Sequence, residues 1–323
     1  MILVLVEHAE GVPDRVSLEA LALARSLGGP VHAALIGPGG ATAAAALAGQ
    51  GVETAHVVEH DGLAAYAPRA WGTSIAQLVE AHCPEVVVGP GTERGNEVMA
   101  YVGAIAQRPM VANVLSVSTA APGSPRSLTR QRWAGSLTEE ATLTATPALL
   151  TVAPHAIEAA GTGSGAAPSI ATATPTLSAA DLAARVTGRI EPDSGSISLA
   201  DAKVVVGGGR GVGSTDAFGI LEELAGLLGA AVGGSRVVTS NGWRPHSDQI
   251  GQTGLRIAPE IYIACGISGA IQHIVGCAAS KHILAINKDP DAPIMSRADY
   301  AVIGDLHAIV PAISAEIRRV RGV

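Results

Sequence analysis

Ser268, Gln272, His273 and Asn287 share one stretch, Pro259–Asn287, which reads PEIYIACGISGAIQHIVGCAASKHILAIN. They are hydrogen-bonding side chains set among apolar runs rather than core fillers. His273 has four readings: a histidine satisfied in the core, a metal ligand, a general base, or a donor to a bound ligand. A metal would require further ligands at suitable spacing, and none stand near it. A nucleophilic triad would require a GxSxG elbow, which does not occur around Ser268. Hydrogen-bond donation survives best, because a helix starting at Gly269 aims its N-terminus at the same point. Two buried strands flanking such a Gly-rich helix start suit an anionic ligand. A polar, ring-shaped, phosphate-bearing molecule matches the donor set.

Four further motifs are weighed in the same way. Gly207–Gly213, GGGRGVG, sits between a strand and a helix, where glycines let backbone N–H groups approach a phosphate. The GxGxxG fingerprint fails at Ser214 and no Walker lysine follows. The glycines alone read as a structural turn, and Arg210 among them points to an anionic partner, ligand or subunit. Ser235 and Arg236 close the GGSR step after a short apolar run, where a strand-end loop is expected. Ligands of open α/β sheets bind at such ends, so Arg236 is a charge partner for an electron-rich ring. Ile250, Gly251, Gln252 and Thr253 lie in IGQTG, a loop whose value comes from its neighbours. Asp305 precedes the expected helix Leu306–Arg319, either as its N-cap or against a ribose or adenine group.

The elements that must position these residues follow from hydrophobic periodicity. Strands are expected at Ile2–Val6, Val31–Ile36, Ala55–Val58 and Val86–Gly89. Helices are expected at Val16–Leu27, Ala41–Gly49, Ile75–His82 and Val98–Ala106. This alternation implies an α/β fold with a parallel sheet. Met110–Val152 turns β-like, with Leu128–Trp133 and Glu140–Thr146 as antiparallel additions. The segment 153–198, containing GTGSGAAPSIATATP, reads as an exposed and loosely held linker. A second βα alternation begins at Lys203. The expected organisation is an N-terminal α/β domain over 1–190, a boundary near 188–200, and a C-terminal domain over 200–323.

A chain of 323 residues with 48% apolar and 15% charged residues can bury a sizeable core in about two domains. A net charge of −7 without a basic cluster argues against nucleic acid or an anionic membrane as partner. No apolar run approaches a membrane span, and the MILVLVEH start lacks a basic region, so a cytoplasmic protein is expected. Cys83, Cys265 and Cys277 show neither zinc spacing nor a disulfide framework.

The order VVVGGGRG, GGSR, IGQTG, IYIACGISGAIQH, AINKDPDAPI and ADYAVIGDL resembles the alpha subunit of electron-transfer flavoproteins over about Lys203–Pro311. The segment through GISGAIQH to AIN is that family's signature, with Ile261 as a conservative departure at its first position. Residues 1–150 fit the family's N-terminal domain in outline. The resemblance implies a Rossmann-like, doubly wound C-terminal domain holding one FAD, in a heterodimer with a beta subunit. Its FAD contacts would be Arg210, Ser235, Ile250, Gly251, Gln252, Thr253, Ser268, Gly269, Ala270, Ile271, Gln272, His273, Asn287 and Asp305. Gln252 and Thr253 would lie near the flavin ring, His273 near its pyrimidine carbonyl, and Arg236 over or beside the ring. Reduction places negative charge on that edge of the ring, which an imidazole, a guanidinium and a helix N-terminus all favour.

The implied function is an electron carrier without substrate turnover of its own. Electrons would pass from flavoprotein dehydrogenases to a quinone oxidoreductase or similar acceptor. A variant is a bifurcating type with a second FAD in the beta subunit. An NAD(P)-dependent oxidoreductase is the competing class. It predicts a complete GxGxxG, which fails at Ser214, and Ile2–Val6 runs into Glu7–His8 without a Gly-rich turn. A scaffold that has lost its flavin is the third reading, opposed by the polar positions named above.

Overall fold

The structure is a computed structural model that describes residues 1–118, 120–121, 123–135, 137–163, 165–188, 198–200 and 202–322. Two compact units form within the chain, Met1–Ile190 and Glu191–Val323. The boundary expected near 188–200 falls mostly outside the described residues.

In the first unit the chain runs β1 (Ile2–Val6), β2 (His8–Ala9), β3 (Val12–Pro13), α1 (Arg15–Ser26), β4 (Val31–Ile36), α2 (Gly40–Ala46) and β5 (Thr54–Val58). It continues through α3 (Pro68–His82), β6 (Val86–Pro90), α4 (Glu93–Ala106), β7 (Met110–Val117), β8 (Arg126–Arg132), β9 (Leu137–Leu143), β10 (Ala148–Val152) and β11 (Ser169–Ala173). Nine of these strands form one sheet in the order β11-β5-β4-β1-β6-β10-β7-β8-β9. All pairings are parallel except β7–β8 and β8–β9, which are antiparallel. β1 is buried along its whole length because helices cover both sheet faces, as a parallel sheet requires. Ile2, Val4 and Val6 pack with α1 and α2 on one face. Leu3 and Leu5 pack with Trp71, Ile75, Val98 and Val102 of α3 and α4 on the other.

Several element limits depart from expectation: α4 starts at Glu93 rather than Val98, behind the Thr92 cap, and β8 and β9 each begin two to three residues earlier than read. Helix α3 starts at Pro68 rather than Ile75, since proline fits the first helical turn, where its missing N–H would have no partner. Residues 169–173, read as loosely held, form the edge strand β11 in parallel register with β5. Apart from the exposed Ile170 its residues are small and need little packing at an edge, and β5 supplies the backbone partners.

The second unit contains β12 (Val204–Gly208), α5 (Gly219–Leu228), β13 (Ala231–Gly234), α6 (Arg236–Ser240), β14 (Ile261–Cys265), α7 (Ile271–Cys277), β15 (His282–Asn287), β16 (Tyr300–Ile303) and α8 (Leu306–Arg321). Its sheet has five strands in the order β13-β12-β14-β15-β16, parallel throughout. Val205, Tyr262 and Ala264 face one core layer. Val206, Ile263 and Cys265 face the other, against α5 and α8. The α/β class is therefore as expected.

Candidate functional site

The strand order of the second unit reverses between β12 and β14, and open parallel sheets place ligands outside such a switch point. Here the chain is reduced to backbone. Gly209 donates its N–H to the Cys265 carbonyl at 2.9 Å and Gly211 donates to the Gly266 carbonyl at 3.0 Å. A Cβ on Gly209 would lie 2.3 Å from the Gly266 oxygen, so the glycine is required by this close approach of two strand ends. Arg210 projects from between them, exposed.

Beside it, Ser235 follows β13 and donates its N–H to the Gly208 carbonyl at 2.9 Å. Arg236 opens α6 and is exposed. Neither Arg210 nor Arg236 makes an ion pair among the described residues.

The loop 250–253 is tied back to this edge. Ile250 donates to the Gly234 carbonyl at 2.8 Å, and Gln252 donates to the Gln272 carbonyl at 2.7 Å. Gly251 sits against the same Gln272 carbonyl. The Thr253 hydroxyl accepts from Gln249 Nε2 at 2.9 Å. Gln249 Oε1 in turn accepts from the buried Thr239 hydroxyl at 2.8 Å.

After β14 the chain turns through Gly266–Ala270 into α7. Gly269, at φ +80°, packs against Ile294, and no side chain fits there. The Ser268 carbonyl accepts from Ile294 N–H at 3.1 Å, and the Ala270 carbonyl accepts from His273 N–H at 2.8 Å. The side chains of Ser268, Ile271 and Gln272 are exposed. His273 is only 6% exposed. Its Nε2 lies 2.8 Å from Tyr262 Oη, and its Nδ1 has no hydrogen-bond partner among the described residues. Burial pushes the imidazole down to about 4, with the Ile250 backbone acting the other way.

Asn287 ends β15, donating Nδ2 to the Ile267 carbonyl at 2.8 Å and accepting from Asp289 N–H at 3.1 Å. Asp305 caps α8 by accepting from His307 N–H at 3.0 Å. Its other oxygen is 2.9 Å from Lys288 Nζ, and Lys288 holds the carboxyl below its ordinary range. The backbone bonds thus bring together Arg210, the loop 250–253, the turn 268–273 and Asn287, while Asp305 is engaged with Lys288.

Sequence reasoning missed Thr239, Gln249 and Tyr262. Thr239 and Gln249 stand ten positions apart, with no local pattern to link them. Tyr262 reads as a core aromatic, and only its partner gives the hydroxyl a role.

A parallel α/β sheet whose switch point exposes backbone and hydrogen-bond donors, with two cations outside any ion pair among the described residues, has the architecture of the nucleotide-binding class. Residues 198–278 match the family model described as electron transfer flavoprotein FAD-binding domain, and residues 2–178 match electron transfer flavoprotein domain. The chain is 37% identical over 325 residues to the electron transfer flavoprotein subunit alpha of Mycobacterium leprae (strain TN), across 99% of both chains. It is 38% identical over 324 residues to that of Mycobacterium tuberculosis (strain CDC 1551 / Oshkosh), again across 99% of both. Against Bacillus subtilis (strain 168) it is 33% identical over 320 residues, 98% of this chain and 97% of the relative. The chain belongs to the electron transfer flavoprotein alpha subunit family.

FAD is the cofactor that the domain match supports. The residues present fit it: a switch point lined by glycine backbone and, among the described residues, two cations free of ion pairs and a buried imidazole nitrogen without a hydrogen-bond partner. Among the described residues no group of His, Cys, Asp or Glu is placed to hold a metal ion. No helix among them is long and apolar enough to cross a membrane.

Proposed function

We propose that this chain binds one FAD along the carboxyl edge of its second sheet and, paired with a beta subunit, carries electrons in the cytoplasm. Donors would be flavoprotein dehydrogenases, and the acceptor a quinone oxidoreductase or similar protein. The domain over 200–323 would hold the cofactor and that over 1–190 would support the pairing. The flavin supplies the redox chemistry, and the protein sets its position and potential.

The observation that carries this reading is the collection of Arg210, Ser235, Arg236, Ile250–Thr253, Ser268–His273 and Asn287 around one sheet edge. Cations and N–H donors there favour an electron-rich ring, and most strongly its reduced form. Of these groups, Arg236 and Arg210 supply charge, while Ser268, Gln252 and Gln272 supply exposed polar contacts. Asp305 holds the start of α8 and meets the cofactor only beyond its bond to Lys288.

The test is purification of the chain co-expressed with its beta subunit. A yellow heterodimer with one flavin, bleached by a flavoprotein dehydrogenase and its substrate, is the expected result. Two flavins would favour the bifurcating variant, and a colourless complex that binds NAD would sink the reading.

A further inference from the structure

Tyr262 heads the fully buried large side chains of the described residues, at 0% exposure. A phenol in that position needs a partner for its hydroxyl. The partner is His273 Nε2, 2.8 Å away. Gly207 of β12 makes room for the pair, because a Cβ there would fall 2.2 Å from the hydroxyl oxygen. Three elements, β12, β14 and α7, thus converge on one hydrogen bond.

Burial keeps the phenol protonated and the imidazole neutral. A neutral imidazole offers one N–H and one bare nitrogen, so two arrangements exist. In one, the Nε2–H donates to the phenol oxygen. The phenol hydrogen then loses its imidazole acceptor, the neighbouring Cys265 and Cys277 sulfurs are weak acceptors, and bare Nδ1 also lacks a partner among the described residues. In the other, the phenol donates to bare Nε2 and the proton resides on Nδ1, beside the Ile250 backbone. The second leaves a single buried donor to be matched, and an unmatched buried polar group is costly.

We propose that Tyr262 is a positioning residue: its hydroxyl fixes His273 as the Nδ1–H tautomer, turning the ring's only N–H toward the Ile250–Thr253 loop. The role rests on the reading that this edge holds FAD. Tyr262 itself is out of reach of any ligand, at 0% exposure. It acts by keeping the loop-facing nitrogen of His273 a donor, which favours added electron density on a ring bound at the loop.

The test uses the heterodimer co-purified with its beta subunit and labelled with nitrogen-15 histidine, with His273→Gln to assign the signals. The wild type is expected to show protonated Nδ1 and bare Nε2. Tyr262→Phe is expected to shift His273 toward the Nε2–H form and lower the midpoint potential of bound FAD, with FAD content retained. A wild-type Nε2–H tautomer overturns the proposal without recourse to any variant. An unmoved tautomer in Tyr262→Phe also overturns it, as does a switched tautomer with an unmoved potential. A flavin-free heterodimer whose His273 is still Nδ1–H would instead remove the FAD reading and with it the role toward the ring, leaving the tautomer assignment intact.

Discussion

Gln252 donates its backbone N–H to the carbonyl of Gln272 at 2.7 Å, so the loop before β14 and the first turn of α7 are held as one surface. The seam is close: a Cβ on Gly276 would lie 2.3 Å from the Gly251 nitrogen. Gly276→Ala therefore has to push the loop off the helix, at a cost of about 1–3 kcal/mol for overpacking. We expect at least tenfold weaker FAD binding by flavin fluorescence titration, with the circular dichroism of the sheet retained. Unchanged affinity would show that the seam does not shape the site.

Gln249 links the Thr239 hydroxyl to the Thr253 hydroxyl through its two amide atoms. Gln249→Leu keeps the volume but removes the amide that joins the two threonines. The Thr239 hydroxyl retains the Arg236 carbonyl at 3.1 Å as an acceptor, so the loss is that of ordinary hydrogen bonds, roughly 0.5–1.5 kcal/mol each. The expected outcome is a lower melting temperature together with weaker FAD retention on gel filtration. Loss of neither would mean that Thr253 is placed by the backbone alone.

Arg236 is exposed and free of ion pairs among the described residues, so its charge is available to a ligand. Arg236→Ala should lower the midpoint potential of bound FAD by an effect worth roughly 0.5–1 kcal/mol, the range for a cation over an aromatic face at an exposed site. Potentiometric titration at two ionic strengths checks it, since salt screens an exposed charge. An identical potential in both proteins removes Arg236 from the site.

Glu7 is 5% exposed, and burial pushes it from 4.5 up to about 7, with the Thr92 hydrogen bond working against the shift. The folded value lies above the ordinary one. Its contribution to the first unit is therefore complete below about 4.5 and is lost as pH rises through about 7. A shift of that size corresponds to about 3 kcal/mol. Glu7→Gln, which keeps an oxygen for Thr92, should flatten the fall in stability between about pH 4.5 and pH 7. Amide exchange of β1 and α4 across that range reads the difference, and parallel slopes would show that Glu7 is not its source.

The alternation of buried runs made much of the first unit legible, and the limits of β1 and β4 coincide with those read from periodicity. Such strands are covered on both faces, so the pattern carries its own signal. β11 was invisible because SIATA buries little and is held by β5 rather than by apolar packing. α7 starts at Ile271 rather than Gly269, since Gly269 takes a left-handed turn that Ile294 closes over. The order of site residues could be read in the chain because each follows a strand end. The Tyr262–His273 and Gln249–Thr253 bonds could not, because each joins side chains that only the finished sheet brings together.

The first unit has a switch point of its own, between β1 and β6, where the strand order also reverses. There the Thr92 hydroxyl donates to Glu7 Oε1 at 2.7 Å and accepts from Gly95 N–H at 2.8 Å, at the head of α4. Where the second unit leaves glycine backbone bare, the first has seated a carboxyl group from its own chain. An incoming phosphate would meet an occupied socket of the same sign once Glu7 ionises. Two sheets with the same kind of opening thus come fitted differently, one with a carboxyl seated at its switch point and one without.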